Sequence, residues 1–262
     1  EKYDASYQYV VGNDGIYHNI PDDEVSWHAG DGTKNPYKLT PTGVYGTNKY
    51  PIVGISLDGF YTIDNQKSTI KAPTKGNGEI LTSKDINDVG IRVILGENNE
   101  YLIGNTYYND TYRKISNYGG NVNAIGIESC INYGSDIYYT WQKLATLVAH
   151  LMDENNLTID DVVPHHYFSG KNCPQTIREN DRWEYFKSLI CDEYDVLMLL
   201  KKGVKLNLIT DSIYLNDLGR VIKQPESDTL ISYVLNIEIN NVSYNVKLYS
   251  NIQGSNNNKI NK

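Results

Sequence analysis

The chain has 262 residues and a mass of 29.7 kDa, enough for one large domain or two modest ones with an ordinary core. A net charge of −8 and no basic run argue against nucleic acid as a partner, because phosphate binding needs a Lys/Arg surplus on some face. No stretch approaches the roughly 20 apolar residues of a membrane span, and the opening "EKYDASYQYVV" lacks the basic and apolar regions of a secretion signal, so no membrane partner is expected.

The first residue is not Met, so the chain reads as a fragment or processed product. Tyrosine is the dominant large hydrophobe, 23 against 3 Phe, which suits contact with polar ligands such as glycans or peptides and equally suits half-buried strands. Cys130, Cys173 and Cys191 are odd in number and follow no framework spacing, which argues against a disulfide-built fold.

In chain order, "SYQYVVGNDGIYHNIP" alternates around Asn13-Asp14-Gly15 and predicts a hairpin. "DDEVSWHAGDG" follows as a loop. From about residue 33 to 119 the chain is rich in Gly, Asn, Thr and Tyr with short β-type runs, and reads as a β-rich insertion. "NAIGIESCIN" is an apolar run of strand length, the pattern of a strand buried on both faces. Leu144, Val148, Leu151 and Met152 then mark an amphipathic helix. "TIDDVVPHHYFSGKNCP" predicts a short strand running into a loop, and "TIRENDRWEYFKSLICDEYDVLMLL" a further helix.

Past about Lys201, alternating residues with turns at "NDLG", "PESD" and "NN" predict a small β-sandwich over 201–254, and "SNNNKINK" (255–262) a disordered tail. The expected architecture is α/β over residues 1–200, carrying the insertion, followed by the all-β module.

The chemistry concentrates in "HHYFSGKNCP". Imidazole nitrogen and thiolate sulfur are the donors a zinc ion takes, and a catalytic zinc uses three protein ligands. An isolated His-x7-Cys spacing is also compatible with a surface loop and a partly buried cysteine.

The whole string, however, resembles the closing motif of the type-2 N-acetylmuramoyl-L-alanine amidases, a family of phage endolysins and bacterial autolysins to which peptidoglycan recognition proteins are more distantly similar. "SYQYVVGNDGIYHNIPDDEVSWHAGDG" resembles that family's hairpin and Trp-His-Ala-Gly loop, and "NAIGIESCIN" its Ile-Gly-Ile-Glu strand. The resemblance covers about residues 3–32 and 117–190.

It implies a mixed central sheet flanked by helices, with His165 and Cys173 as zinc ligands and Lys171 as the group that offsets a developing oxyanion. His166 is implied to be structural. Tyr7 and Glu128 would manage a proton, a carboxylate inside an apolar run being costly unless paired or catalytic. Trp27 and His28 would line the substrate groove; Tyr7 in a core and His28 as a structural histidine remain open readings.

The implied reaction is hydrolysis of the amide between N-acetylmuramic acid and L-alanine of the peptidoglycan stem peptide. The implied location is extracellular, at the cell wall, or in the medium after phage lysis. The C-terminal module looks like a degenerate immunoglobulin-like domain that binds wall carbohydrate or serves as a spacer.

Two departures stand out. The family's first zinc histidine comes from a strand ahead of the hairpin, and this chain begins after that point, leaving His28 as the only stand-in. The insertion is also longer than the family's usual connection. The competing reading is a non-catalytic peptidoglycan-binding protein with an amidase fold and an incomplete metal site.

Overall fold

The computed structural model describes residues 5–29, 39–87, 91–104, 119–217, 219–252 and 254. It divides into two compact units. The first comprises 1–9, 18–127 and 163–181, and the second 10–17, 128–162 and 182–262. The expected tail at 255–262 lies outside the described residues.

The hairpin forms as its turn chemistry dictates. Strands β1 (Tyr9–Val11) and β2 (Ile16–His18) flank the Asn-Asp-Gly turn, where Gly12 N–H donates to the Gly15 carbonyl at 2.9 Å.

The insertion builds most of the first unit's core. Its elements are β3 (Leu39–Tyr45), β4 (Val53–Ile55), β5 (Phe60–Ile63), β6 (Gln66–Lys71), α1 (Ser83–Asn87), β7 (Val93–Leu95) and β8 (Glu100–Gly104). They form two antiparallel sheets, β3-β8-β7 and β4-β5-β6, over a core that includes Tyr61, Ile63, Leu81, Tyr101 and Ile103.

The two inner hairpins repeat each other. Val53 pairs with Ile63 in one and Val93 with Ile103 in the other, and Tyr61 and Tyr101 are the matching buried rings. Gly59 and Asn99 occupy the matching turn position with positive φ, a conformation open mainly to Gly and Asn. The β-rich character was therefore readable from composition, whereas the repeat was not recognised in the sequence.

A short helix α2 (Gly120–Asn123) precedes β9 (Ile127–Ser129), which completes a sheet of order β2-β1-β9. Tyr9 N–H donates to the Gly126 carbonyl and Cys130 N–H to that of Val11, the staggered pattern of a parallel pair, so the sheet is mixed. The strand buried on both faces is not what forms. Among the described strands β9 lies at the sheet edge, and Glu128 is exposed. Ile127 and Ser129, on the opposite face from Glu128, are half-buried, so neither face is fully covered.

In the second unit, α3 (Ile137–Asn155) begins at Asp136, whose carboxylate accepts from Tyr139 N–H, and ends at Asn156 in the left-handed conformation. Its buried stripe, including Trp141, Leu144, Val148 and Met152, packs against α6 (Trp183–Lys201), which buries Phe186 and Ile190.

The strand expected before the histidines is instead a 3-10 turn (Ile159–Asp161), because Thr158 and Asp161 close a capping box. The histidines open helix α4 (His165–Ser169). The long helix expected after the motif is broken into α5 (Gln175–Glu179) and α6 at Asp181, which takes positive φ.

The C-terminal residues form β10 (Lys205–Ile209), β11 (Thr229–Ile239) and β12 (Val242–Ile252), one antiparallel sheet in that order. Asn240 and Asn241, both at positive φ, make a two-residue turn that lets two long strands pair along their full length. The second sheet that an immunoglobulin-like sandwich requires is not present among the described residues. No helix among them is long and apolar enough to cross a membrane.

Candidate functional site

All the candidate residues except Glu128 belong to the first unit. The motif loop is fixed by backbone contacts. His166 N–H donates to the Cys173 carbonyl at 3.0 Å, which folds the chain back so that His165 and Cys173 flank one short loop. Cys173 N–H donates to the Lys171 carbonyl at 2.7 Å, and the Cys173-Pro174 peptide is cis.

Gly170 ends α4 at φ +74°, and a Cβ there would lie 2.1 Å from the Ile91 carbonyl oxygen, so the loop rests directly on the insertion's backbone. Arg178 adds a second tie. Its buried guanidinium donates to the carbonyls of Tyr50 (3.0 Å) and Pro51 (2.7 Å) and to Asn172 Oδ1. A planar fork serves several acceptors at once, which an ammonium could not do in the same geometry. The insertion is therefore the support of the motif loop.

The Trp27-His28 loop is built from the other side. Asn121, buried at the start of α2, accepts from both His28 N–H and Ala29 N–H at 2.8 Å. Gly120 packs between Ala29 and the Phe168 ring of α4, where a Cβ would approach both to 3.0 Å or less. Ser6 and Trp27 exchange hydrogen bonds, Ser6 N–H to the Trp27 carbonyl and Trp27 N–H to Ser6 Oγ. These contacts hold half-buried Tyr7 beside the loop and leave the Trp27 indole exposed.

A buried network sets the state of His28. Gln8 Nε2 donates to the Glu24 carbonyl at 2.7 Å, so Gln8 Oε1 is the acceptor, taking Gly126 N–H and Ser26 Oγ–H at 2.8 Å each. With its proton committed to Gln8, Ser26 Oγ can only accept from His28 Nδ1, 2.8 Å away. His28 is thus the Nδ1–H tautomer with an unprotonated Nε2, which has no hydrogen-bond partner among the described residues. The ring lies flat against Gly126, where a Cβ would fall 2.5 Å from His28 Cγ.

Burial lowers the His28 pKa. Burial, followed by the charges of Lys171 and His28, holds His165 down to about 4. His166 is buried against the edge of the Tyr50 ring, and burial, with Arg178 and His165 nearby, holds it down to about 3. All three imidazoles are neutral at neutral pH, the state in which histidine donates a lone pair.

Lys171, Cys173 and His165 are half-buried. Glu128, in the second unit, is exposed, so burial supplies no argument for a catalytic role.

The described residues contain no group of three His, Cys, Asp or Glu that could hold a metal ion. His165 and Cys173 are suitable donors for zinc, but they do not complete a three-ligand site.

Sequence reasoning missed Gln8, Ser26, Asn121 and Arg178. A buried amide or guanidinium has no local signature, because its partners come from distant segments.

A family model described as N-acetylmuramoyl-L-alanine amidase matches residues 1–176. The chain is 37% identical over 93 residues to N-acetylmuramoyl-L-alanine amidase XlyA of Bacillus subtilis (strain 168), covering 36% of this chain and 31% of that protein. It is 40% identical over 67 residues to the CwlH amidase of the same organism, covering 26% of each. The chain thus spans about a third or less of the curated relatives it matches. A mutant endolysin from Bacillus subtilis aligns in structure with a TM-score of 0.36 and 23% identity, covering 71% of this chain and 65% of that one. On the match over residues 1–176, the chain belongs to the N-acetylmuramoyl-L-alanine amidase family.

Proposed function

We propose that the chain hydrolyses the amide joining N-acetylmuramic acid to L-alanine of the stem peptide in bacterial peptidoglycan, acting at the cell wall as an endolysin or autolysin. The observation that carries this reading is that the first unit contains Tyr7, Trp27, His28, His165, Lys171 and Cys173, with the motif loop tied to the insertion by Arg178 and the Trp27-His28 loop tied to Asn121.

In this reading the Lys171 ammonium offsets negative charge developing on the scissile carbonyl oxygen. Trp27 offers a flat, exposed apolar face to the sugar or peptide, and His28, whose Nε2 is buried, supports the loop that presents it. Tyr7 handles the proton that moves to the leaving amine. The family is generally zinc-dependent, and we assign His165 and Cys173 as two of the ligands. The described residues do not supply the third, so no step is assigned to the metal. The C-terminal sheet, with Tyr244 and Tyr249 exposed, is proposed to contact wall carbohydrate.

The test is zinc content after purification without chelator, together with turnover of a soluble muropeptide by wild type, His165→Ala and Cys173→Asp. The reading expects about one zinc per chain, lost together with turnover in His165→Ala. It also expects substantial turnover in Cys173→Asp, because a carboxylate can replace a thiolate as ligand but not as nucleophile. Turnover abolished in Cys173→Asp at unchanged zinc content would overturn it in favour of a thiol mechanism.

That the described residues supply only two donors favours a second reading, a peptidoglycan-binding protein without catalysis. That reading expects sedimentation with insoluble peptidoglycan and no release of peptide.

A further inference from the structure

The insertion does more than support the motif loop. A cavity of about 350 Å³ lies along β4 in the first unit, within the size range of small-ligand sites. Gly54, Ile55, Thr62 and Ser83 line it from the insertion, and Asn172 and Glu179 line it from the motif side. Asn172 sits between Lys171 and Cys173 in the chain, so the cavity adjoins the loop that carries the proposed chemistry.

Three features fit an extended peptide. First, β4 is the end strand of the sheet β4-β5-β6. Ser56 N–H donates to the Phe60 carbonyl and Asp64 N–H to the Ile52 carbonyl, so residues 52, 54 and 56 direct their backbone groups toward β5. By the alternation of an antiparallel ladder, Val53 and Ile55 direct theirs to the open side. Ser83 Oγ, at the start of α1, which packs on β4, accepts the Ile55 N–H at 2.9 Å; the Val53 N–H and the carbonyls of both residues have no hydrogen bond among the described residues and are what an incoming strand would pair with. Second, Gly54 keeps the floor low: a Cβ there would already lie 2.7 Å from Thr62 Oγ1 and 3.0 Å from Ser83 Oγ. Third, Glu179 stands at the rim with one oxygen available. Asn172 Nδ2 and Gln175 Nε2 both donate to its Oε1 at 2.8 Å, which fixes the carboxylate, while Oε2 has no hydrogen bond among the described residues.

We propose that this cavity is a peptide subsite, in which a stem peptide lies extended along β4 and its free amino group, on a diamino residue, is received by Glu179. The proposal rests on the peptidoglycan reading above and names the part of the substrate that the insertion recognises.

The test is binding rather than turnover. A synthetic stem tetrapeptide carrying lysine is titrated into the full chain by calorimetry, with its side-chain amine free or acetylated, using wild type and Glu179→Gln. Glu179 is exposed, so the variant folds. The expected result is that wild type prefers the free amine by about threefold to fivefold, the range of a solvent-exposed ion pair, and that Glu179→Gln removes the preference. Adding bulk at the floor with Gly54→Val weakens binding of both peptides. Equal affinity of wild type for the two peptides, or a preference that survives in Glu179→Gln, would overturn the subsite. A muropeptide that binds with this preference but is never hydrolysed would instead refute the amidase reading and leave the subsite standing.

Discussion

Gln8→Leu is the most informative single perturbation of the scaffold, because Gln8 is 1% exposed and its side chain serves three partners. The substitution keeps the approximate volume and removes every hydrogen bond. The Glu24 carbonyl belongs to an exposed residue and can turn to water, so its loss costs little. Gly126 N–H is buried beneath the His28 ring and has nowhere to turn; an orphaned donor of this kind costs about 1–3 kcal/mol. Ser26 Oγ–H, fully buried, is released from Gln8 and can only redirect to His28 Nδ1, which forces that nitrogen to give up its proton.

The account therefore predicts a net loss of about 2–3 kcal/mol in equilibrium urea unfolding at unchanged slope, after the small gain from extra apolar burial. It also predicts a switch of His28 to the Nε2–H tautomer, visible in imidazole ¹⁵N shifts. A loss below about 1 kcal/mol with the tautomer unchanged would refute the network as described.

Other consequences are equally specific. Gly170→Ala places a Cβ 2.1 Å from the Ile91 carbonyl at a positive φ, so a loss of more than about 3 kcal/mol, or loss of turnover in whatever still folds, is expected in thermal unfolding and activity assays. If Lys171 offsets the developing oxyanion as proposed, Lys171→Ala lowers kcat on a muropeptide by about 100-fold or more with little change in KM. His166, held to about 3 in the fold against about 6.5 unfolded, binds its proton first in the unfolded chain. Its contribution is therefore complete above pH 6.5 and is lost as pH falls toward 3, about 2 kcal/mol by pH 5. Urea titrations at pH 7 and 5 should show that drop in wild type and a smaller one in His166→Phe.

Much of this molecule was legible in its sequence, and the exceptions have physical reasons. The Asn13-Asp14-Gly15 turn and the α3 stripe follow from local rules, and both formed where expected. The motif string was legible as chemistry but not as conformation. Its strand reading failed because Thr158, Asp161 and Pro164 set local capping geometry that an apolar count does not register. The burial argument for Glu128 failed because an apolar run does not reveal whether both faces of its strand are covered. The sandwich reading failed for a related reason: alternation predicts strands, not how many sheets they form. Gln8 and Arg178 were invisible because each is defined by acceptors supplied from elsewhere in the chain, residues 24, 26 and 126 for one and residues 50 and 51 for the other. The insertion's role as support emerges only when Gly170 is seen against Ile91.

The proposed activity of this chain is cleavage of the bond between muramic acid and the stem peptide. Its most direct test is mass spectrometry of the soluble products after purified peptidoglycan is incubated with the chain. The expected products are stem peptides with a free L-alanine amino terminus, and glycan strands left intact with unsubstituted lactyl groups. Release of sugar fragments, cleavage within the peptide, or no release at all would contradict it.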